Sequence, residues 1–174
     1  MRNLEFKARL ADPEAALSRA LALGADRAAD LSQTDTYFAV ANGRLKLRET
    51  AGREAELIHY ERDESSDRRG SDYGRVPLAA PAALRELMAL ALGVAAVVRK
   101  RRQLLLLDTT RIHLDNVEGL GDFLEIEVPV TDASAEADAA ARLESLIEEL
   151  GLDRADGIRA SYADLITAER GMSA

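Results

Sequence analysis

Alternation of apolar and polar residues predicts short strands along most of the chain. Every second residue of the segment 3–10 is apolar, which is the period of a half-buried strand. The segment 34–41 is rich in β-branched and aromatic residues, and Asn42-Gly43 provides a strong hairpin signal before a returning strand at 44–50. Further strands are predicted at 54–62, 71–76, 95–107, 111–117 and 122–130. The pattern indicates about eight strands, joined mostly as hairpins.

Helix signals interrupt the strands in three places. Asp12 and Pro13 form an N-cap and a first turn, and an Ala- and Leu-rich stretch follows as far as Gly24. Further helices are predicted at 82–92, after Pro81 and before Gly93, and at 134–150 and 158–170, while the polar segment 63–70 has the composition of a loop. We therefore predict an α+β fold with an antiparallel sheet, in a single domain spanning residues 1–174.

Composition narrows the classes of function. The chain has 174 residues with 31 Asp and Glu against 23 Lys and Arg, and its net charge of -8 argues against general affinity for nucleic acids or anionic membranes. The absence of cysteine excludes disulfides, thiolate metal sites and a cysteine nucleophile. The longest apolar run, 87–98, is shorter than the roughly 18 residues of a membrane span. The first residues have no apolar signal-peptide core, so we expect a cytoplasmic protein.

Charged residues gather on one face of several predicted strands and are sorted there by sign. They are Glu5, Lys7 and Arg9 in the first strand, Arg44, Lys46 and Arg48 in the third, Arg111, His113 and Asp115 in the seventh, and Glu125 and Glu127 in the eighth, while the sixth strand has Lys100 and Arg102 on one side and Arg99 and Arg101 on the other. A solvated face explains any one strand, but an ordinary solvated sheet mixes the signs. About eight antiparallel strands are enough to close into a barrel, whose inner face would then collect these charges.

A barrel with a basic wall facing an acidic patch has a specific chemical use. Carboxylates hold hard divalent cations, whereas Arg and Lys bind phosphate oxygens. A triphosphate carries about four negative charges, which cannot enter a low-dielectric cavity unpaired. The pattern therefore suits a polyanion such as a triphosphate, with a divalent metal ion bridging it to the carboxylates.

Seven segments, in order along nearly the whole chain, carry a resemblance to a known family. They are NLEFK at 3–7, GRLKLR at 43–48, AELIHYER at 55–62, VRKRR at 98–102, RIHLDNV at 111–117, GLG-D-FLEIE at 119–127 and SYADL at 161–165. With them the chain resembles the CYTH family, the triphosphate tunnel metalloenzymes that include class IV adenylyl cyclases and thiamine or inorganic triphosphatases. The stretch from 111 to 127 is most similar to the class IV cyclase-like branch.

The resemblance implies an eight-stranded antiparallel β-barrel, called a triphosphate tunnel, with flanking helices and one or two bound Mg²⁺ or Mn²⁺ ions. Carried over by position, the metal ligands would be Glu5, Asp115, Glu125 and Glu127, the phosphate contacts would be Lys7, Arg44, Lys46, Arg48, Arg62, Lys100, Arg102 and Arg111, and the catalytic set would be Glu5, Lys7, Glu125 and Glu127. Asn3 stands where the family's ExExK motif has its first Glu, so a neutral amide replaces an anionic ligand.

The resemblance leaves three functions open. The first is cyclisation of ATP to cyclic AMP and pyrophosphate, and the second is hydrolysis of inorganic or thiamine triphosphate. Asn3 favours a third, a non-catalytic module that binds a nucleotide or polyphosphate. The expected partner is in each case a small triphosphate compound, and whether two chains form a homodimer also stays open. His113 either bonds a carboxylate or phosphate or is structural, and Tyr162 is expected to pack.

Overall fold

Eight antiparallel strands form a closed barrel in the computed structural model, which describes residues 2–62, 69–130 and 135–172. The strands are β1 (Arg2–Arg9), β2 (Asp26–Phe38), β3 (Arg44–Thr50), β4 (Ala55–Arg62), β5 (Arg69–Leu78), β6 (Val94–Leu107), β7 (Thr110–Val117) and β8 (Gly121–Val130). The helices are α1 (Pro13–Ala22), α2 (Pro81–Leu92), α3 (Glu136–Glu149) and α4 (Tyr162–Met172), with a short 3-10 helix at Arg154–Asp156. The predicted α+β class and the barrel are confirmed.

The barrel closes through its first strand. Around the sheet the order is β1-β5-β4-β3-β2-β6-β7-β8, and β1 pairs with both β5 and β8. The β1–β8 register places Glu5 opposite Glu127 and Lys7 opposite Glu125. The register between β7 and β8 then sets Arg111 opposite Glu127 and His113 opposite Glu125. Charged residues from three neighbouring strands are therefore side by side on the same face.

Apolar helix faces hold the charged face of these strands inward. Helices α1 and α3 contribute Ala16, Ala20, Leu143, Leu146 and Ile147 to a core that covers the outer side of β1, β7 and β8. Each fully buried Leu or Ile contributes about 1.5 to 3 kcal/mol relative to its exposed state. A register slip of one residue would turn the apolar side chains of these strands inward, so burial of that face determines which side chains face the lumen. Among the described residues, no helix has the length and hydrophobicity needed to cross a membrane.

Strand β2 begins at Asp26, eight residues before the predicted start at 34, and it ends at Phe38 rather than at 41. Most residues between 26 and 32 are exposed, so this part has no apolar alternation for a pattern to detect. Backbone pairing with β6 holds it instead, from Asp26 opposite Leu106 onward. The predicted boundary was wrong because main-chain hydrogen bonding, rather than a buried face, forms the strand here.

Two other boundaries also differ from the sequence pattern. Strand β5 spans Arg69–Leu78 rather than 71–76. Helix α4 starts at Tyr162 rather than at 158, because the backbone N–H of Ile158 donates to the carbonyl oxygen of Lys7 at 2.7 Å and so belongs to the edge of β1. Most of the predicted loop 63–70 and the first residue of the predicted helix 134–150 lie outside the described residues.

Candidate functional site

The inner faces of the strands enclose a cavity of about 540 Å³. Its charged lining, among the described residues, consists of Glu5, Lys7, Asp35, Lys46, Arg48, Arg75, Lys100, Arg102, Arg111, Glu125 and Glu127. Seven of these side chains are basic and four are acidic, so the lining is positive although the chain carries a net charge of -8. The cavity is therefore the part of this acidic protein that can attract an anion.

Asp35 organises the basic wall formed by β3 and β2. Its Oδ1 accepts from Nε of Arg48 at 2.7 Å, and its Oδ2 accepts from Nη2 of Arg48 at 2.7 Å and from Nζ of Lys46 at 2.9 Å. Burial favours the neutral acid, but the charges of Arg48 and Lys46 outweigh it and hold the pKa of Asp35 well below its usual range. The carboxylate thus fixes both cations toward the lumen. Sequence analysis missed Asp35, although an Asp inside a β-branched, aromatic strand was a usable signal.

Asp115 plays the same part for the wall formed by β6. It accepts two hydrogen bonds from Arg102, at 2.6 and 2.5 Å, one from Lys100 at 3.3 Å and one from the Tyr162 hydroxyl at 2.9 Å. Its side chain is completely buried, and Arg102 and Lys100 hold its pKa below the usual range against the effect of burial. Its oxygens are thus engaged by the protein's own donors. Asp115 therefore lies outside the lining of the cavity, and its role as a metal ligand stays a prediction.

Lys100 is a lining cation whose pKa is lowered by its surroundings. Its side chain is only 3% exposed. Burial, reinforced by the charges of Arg102 and Arg48 and opposed by Asp115 and Asp35, lowers the pKa of Lys100 to about 7. Its ammonium is therefore only partly charged at neutral pH until an anion arrives.

The acidic patch, Glu125 and Glu127, lies on β8. Glu125 contacts Lys7 at 3.4 Å and accepts from Arg102 at 2.8 Å, and Glu127 accepts from Nε of Arg111 at 2.8 Å. Burial alone would raise the pKa of Glu125, but Lys7 and Arg102 lower it well below its usual range. Glu125 is therefore ionised at neutral pH, and a neighbouring cation holds each carboxylate in place.

His113 completes a group of side chains that could hold a metal ion. Ligand atoms of His113, Glu125 and Glu127 all lie within 4.8 Å of one another, and Glu5 lines the same cavity from the neighbouring strand. Nδ1 of His113 is buried and has no hydrogen-bond partner within the described part of the chain. Two ionised carboxylates and an imidazole nitrogen that is not engaged form a donor set that fits a divalent cation.

Nine of the sequence-predicted site residues line the cavity together. They are Glu5, Lys7, Lys46, Arg48, Lys100, Arg102, Arg111, Glu125 and Glu127. Arg44 does not join them: its Nη1 donates to Asp164 at 2.7 Å and to Ser161 at 3.1 Å, and it lines a separate cavity of about 500 Å³. Its guanidinium is thus engaged by the start of α4, and Arg44 is not among the residues that line the lumen. The side chain of Arg62 lies outside those that the structure describes.

Helix α4 closes one end of the cavity through Tyr162. The tyrosine ring packs edge-on against Phe123, with Nζ of Lys7 at 4.3 Å and Nζ of Lys100 at 5.1 Å from its centroid. Sequence analysis expected packing at this position, and the hydrogen bond to Asp115 and the two cation–π contacts are additions. Asn3, the neutral replacement in the ExExK-like motif, is buried and lines the cavity with Glu5.

A family model and several solved structures are similar to this chain. The family model described as CYTH domain matches residues 1–162. Among solved structures, the PH1012 protein from Pyrococcus horikoshii OT3 has 24% identity and a TM-score of 0.83, with 94% of this chain and 98% of that chain covered. No curated protein matches the sequence.

Two further solved structures have names that describe an activity. A "putative adenylate cyclase" from Vibrio parahaemolyticus has 19% identity and a TM-score of 0.79, covering 95% of this chain and 97% of that one. HpAC1 from Hippeastrum, described as a "putative adenylyl cyclase" with a dominant triphosphatase activity, has 17% identity and a TM-score of 0.65, covering 97% and 96%. At these identities the likeness establishes a shared fold.

Proposed function

The chain belongs to the CYTH family, and from this premise we propose that it is a divalent-metal-dependent enzyme that acts on a triphosphate compound bound in the barrel. The observation that carries the proposal is the cavity itself, in which seven basic side chains face a pair of ionised carboxylates. The fold neighbours include proteins named for cyclase and triphosphatase activities, which supports the same class of substrate.

The basic side chains would bind the phosphate oxygens. Arg48 and Arg102 each give part of their guanidinium to a buried carboxylate, and each retains further N–H donors for a ligand. Because Asp35 and Asp115 already hold these forks in position, little side-chain entropy would be lost when a phosphate binds. Lys7, Lys46, Lys100 and Arg111 would complete the neutralisation of about four negative charges.

Glu5, Glu125 and Glu127 would hold Mg²⁺ or Mn²⁺ at the acidic side of the cavity. A bound divalent ion would neutralise phosphate oxygens and so lower the cost of charge that develops in the reaction. Asp115, which the family resemblance assigned to the metal, would instead hold Arg102, Lys100 and Tyr162 in place.

Cyclisation of ATP is the reaction that we propose first. A cavity of about 540 Å³ is in the range of pockets that enclose drug-sized molecules, and Tyr37, Ile58 and Tyr60 give it an apolar stretch of wall. Both observations favour an organic triphosphate over an inorganic one. In this reaction the ribose 3′-hydroxyl loses its proton and attacks the α-phosphorus, and pyrophosphate leaves. Hydrolysis of a triphosphate is the second candidate, favoured by the named activity of HpAC1.

Product analysis separates these functions. Purified protein would be incubated with ATP, inorganic triphosphate or thiamine triphosphate, each with Mg²⁺ or Mn²⁺. Cyclic AMP and pyrophosphate would support the cyclase, free phosphate would support the hydrolase, and saturable binding without turnover would support a non-catalytic module. Failure of all three compounds to bind would overturn the proposal.

Matched variants test the site within the same assays. Glu127→Gln removes a lining carboxylate, and we expect turnover to fall by about 10²- to 10³-fold, the range for loss of one group that stabilises charge in the transition state. Glu118→Gln changes an exposed carboxylate in the turn before β8 and should leave turnover unchanged. Equal turnover in the two variants would remove Glu127 from the site.

A further inference from the structure

The imidazole of His113 is in an unusual position for a buried polar group. The residue is 4% exposed, and its Nδ1 has no hydrogen-bond partner within the described part of the chain. The nearest acceptors are Oε2 of Glu125 at 3.6 Å and Oε1 of Glu127 at 3.8 Å, beyond the roughly 3.2 Å limit of an N–H···O hydrogen bond. A buried nitrogen without a partner normally costs stability and needs an explanation.

These separations match the spacing of atoms around a metal ion. Metal–ligand bonds of about 2.0 to 2.2 Å place neighbouring ligands of a tetrahedral site about 3.4 Å apart. The two N···O separations are close to that value, and both carboxylate oxygens point toward the same imidazole nitrogen. With its ring proton on Nε2, the imidazole presents the lone pair of Nδ1 to these two oxygens.

Cations already occupy much of the oxygen capacity at this site. Lys7 contacts Oε1 of Glu125, Arg102 donates to Oε2 of Glu125, and Arg111 donates to Oε2 of Glu127. An ion here would share these oxygens, and the nitrogen of His113 would supply an additional ligand that no protein donor engages. Imidazole suits Fe, Ni, Cu and Zn, whereas Mg²⁺ requires near-ideal oxygen coordination and loses water reluctantly.

We propose that His113 is a nitrogen ligand that gives this site a preference for divalent transition-metal ions over Mg²⁺. The proposal rests on the metal dependence proposed above and makes the identity of the ion more specific. It also assigns a role to His113, for which the sequence analysis left both a hydrogen-bonding and a structural role open.

Spectroscopy on the metal-loaded, untagged protein provides a test that does not depend on activity. The chain has only two histidines, so isotopic labelling of histidine gives two signals. Pulsed electron paramagnetic resonance of bound Mn²⁺ should detect a coordinated nitrogen, and the coupling should change when ¹⁵N-histidine replaces ¹⁴N-histidine. His113→Gln should abolish the coupling. His59→Gln, a change at an exposed histidine of β4, should retain it.

Calorimetry with Mg²⁺, Mn²⁺, Co²⁺ and Zn²⁺ then measures the preference. His113→Gln offers an oxygen in place of the nitrogen. We therefore expect Co²⁺ and Zn²⁺ affinity to fall by at least about tenfold, as metal sites commonly do when a supporting group is lost, while Mg²⁺ affinity is retained. A residue with a purely structural role would weaken all four ions together, and that result would overturn the proposal.

Two further outcomes are decisive. If His113→Gln does not fold, nuclear magnetic resonance of ¹⁵N-histidine protein titrated with Zn²⁺ should shift the Nδ1 signal of His113 and leave that of His59 unchanged. Mn²⁺ that binds without nitrogen coupling in the unaltered protein would overturn the ligand role. Intact nitrogen coupling in a protein that neither binds nor converts any triphosphate would sink the proposed enzyme function and leave the ligand role standing.

Discussion

At the scale of single residues, buried carboxylates determine where the cations of the lumen point. Asp35 holds Lys46 and Arg48, and Asp115 holds Lys100 and Arg102. Each acid lies between two cations, so the attraction within each cluster offsets the free-energy cost of removing its three charges from water. These acids lower the net positive charge of the cavity, and in exchange they fix the geometry in which the cations meet a ligand.

Asp35→Asn would leave Lys46 and Arg48 buried against each other. Loss of one partner of a buried ion pair costs about 3 to 5 kcal/mol, so we expect a drop of that order in the free energy of unfolding measured in urea. Inorganic triphosphate should restore part of the loss, because an anion would again lie between the two cations. Asp30→Asn alters an exposed residue of the same strand and should have almost no effect. A variant as stable as the unaltered protein would contradict the role assigned to Asp35.

Lys100 predicts how ligand affinity depends on pH. Its pKa of about 7 in the ligand-free protein means that the charged form becomes scarce as the pH rises above 7, and a bound anion must then recruit a proton. Affinity for a non-hydrolysable ATP analogue should therefore fall by up to about tenfold per pH unit between about pH 7.5 and 9. Lys100→Met cannot take up the proton, so its weaker affinity should stay level over this range. A level profile in the unaltered protein would show that Lys100 does not titrate on binding.

At the scale of elements, α4 is attached to the barrel by polar contacts at its first turn. Nη1 of Arg44 in β3 donates to Asp164 at 2.7 Å, and the Tyr162 hydroxyl donates to Asp115 in β7 at 2.9 Å. The contact to Asp164 is partly exposed, while that to Asp115 is buried. Helix α4 is thus held by one buried contact, between Tyr162 and Asp115, and by one partly exposed contact, between Arg44 and Asp164.

Arg44→Ala distinguishes a helix contact from a phosphate contact. The Arg44–Asp164 pair is partly exposed, so its loss should cost only about 0.2 to 1 kcal/mol and should speed amide hydrogen exchange in the first turn of α4. Affinity for the ATP analogue should be nearly unchanged. Lys46→Ala, two residues along the same strand, should weaken that affinity by about 1.5 to 3 kcal/mol. Equal losses of affinity in the two variants would return Arg44 to the set of phosphate contacts.

Elements with a half-buried face could be predicted from the sequence, and those without one could not. Strand β3 was predicted with its observed bounds because Leu45 and Leu47 alternate with charged residues beside a hairpin signal. The first half of β2 has no such face. Helix α4 was placed four residues early because nothing in the local pattern reveals that Ile158 bonds to β1.

Strand period predicted which side chains face the lumen. The side chains that they contact could not be predicted, because those contacts depend on the tertiary structure. The period of two assigned seven of the nine predicted lining residues to one face, and the family resemblance selected Lys100 and Arg102 over Arg99 and Arg101 in β6. Whether such a residue meets a ligand or another side chain depends on which strands and helices are neighbours, and this the sequence did not indicate for Arg44 and Asp115. The pairing of both with residues of α4 or its first turn is a tertiary contact between distant parts of the chain.

At the scale of the whole molecule, positive charge is enclosed and negative charge is exposed. The lining of the cavity is basic while the chain as a whole carries a charge of -8, so the outer surface repels large polyanions. We expect inorganic triphosphate to displace a bound fluorescent ATP analogue, and duplex DNA to leave it bound even at low salt. A duplex is too wide to enter the barrel, and its phosphates would meet an acidic exterior. Displacement by DNA at comparable phosphate concentration would contradict this charge distribution.

The pairing of β1 with β8 also has a consequence for biosynthesis. Among the eight strands, β1 is synthesised before the other seven, and its pairing with β8 forms only after β8 has been made. Long-range pairing of this kind slows folding, and an unpaired amphipathic strand is exposed to aggregation in the meantime. A nascent chain that ends before β8 thus has no complete pocket, and we expect it to bind no ligand at all, rather than to bind one weakly.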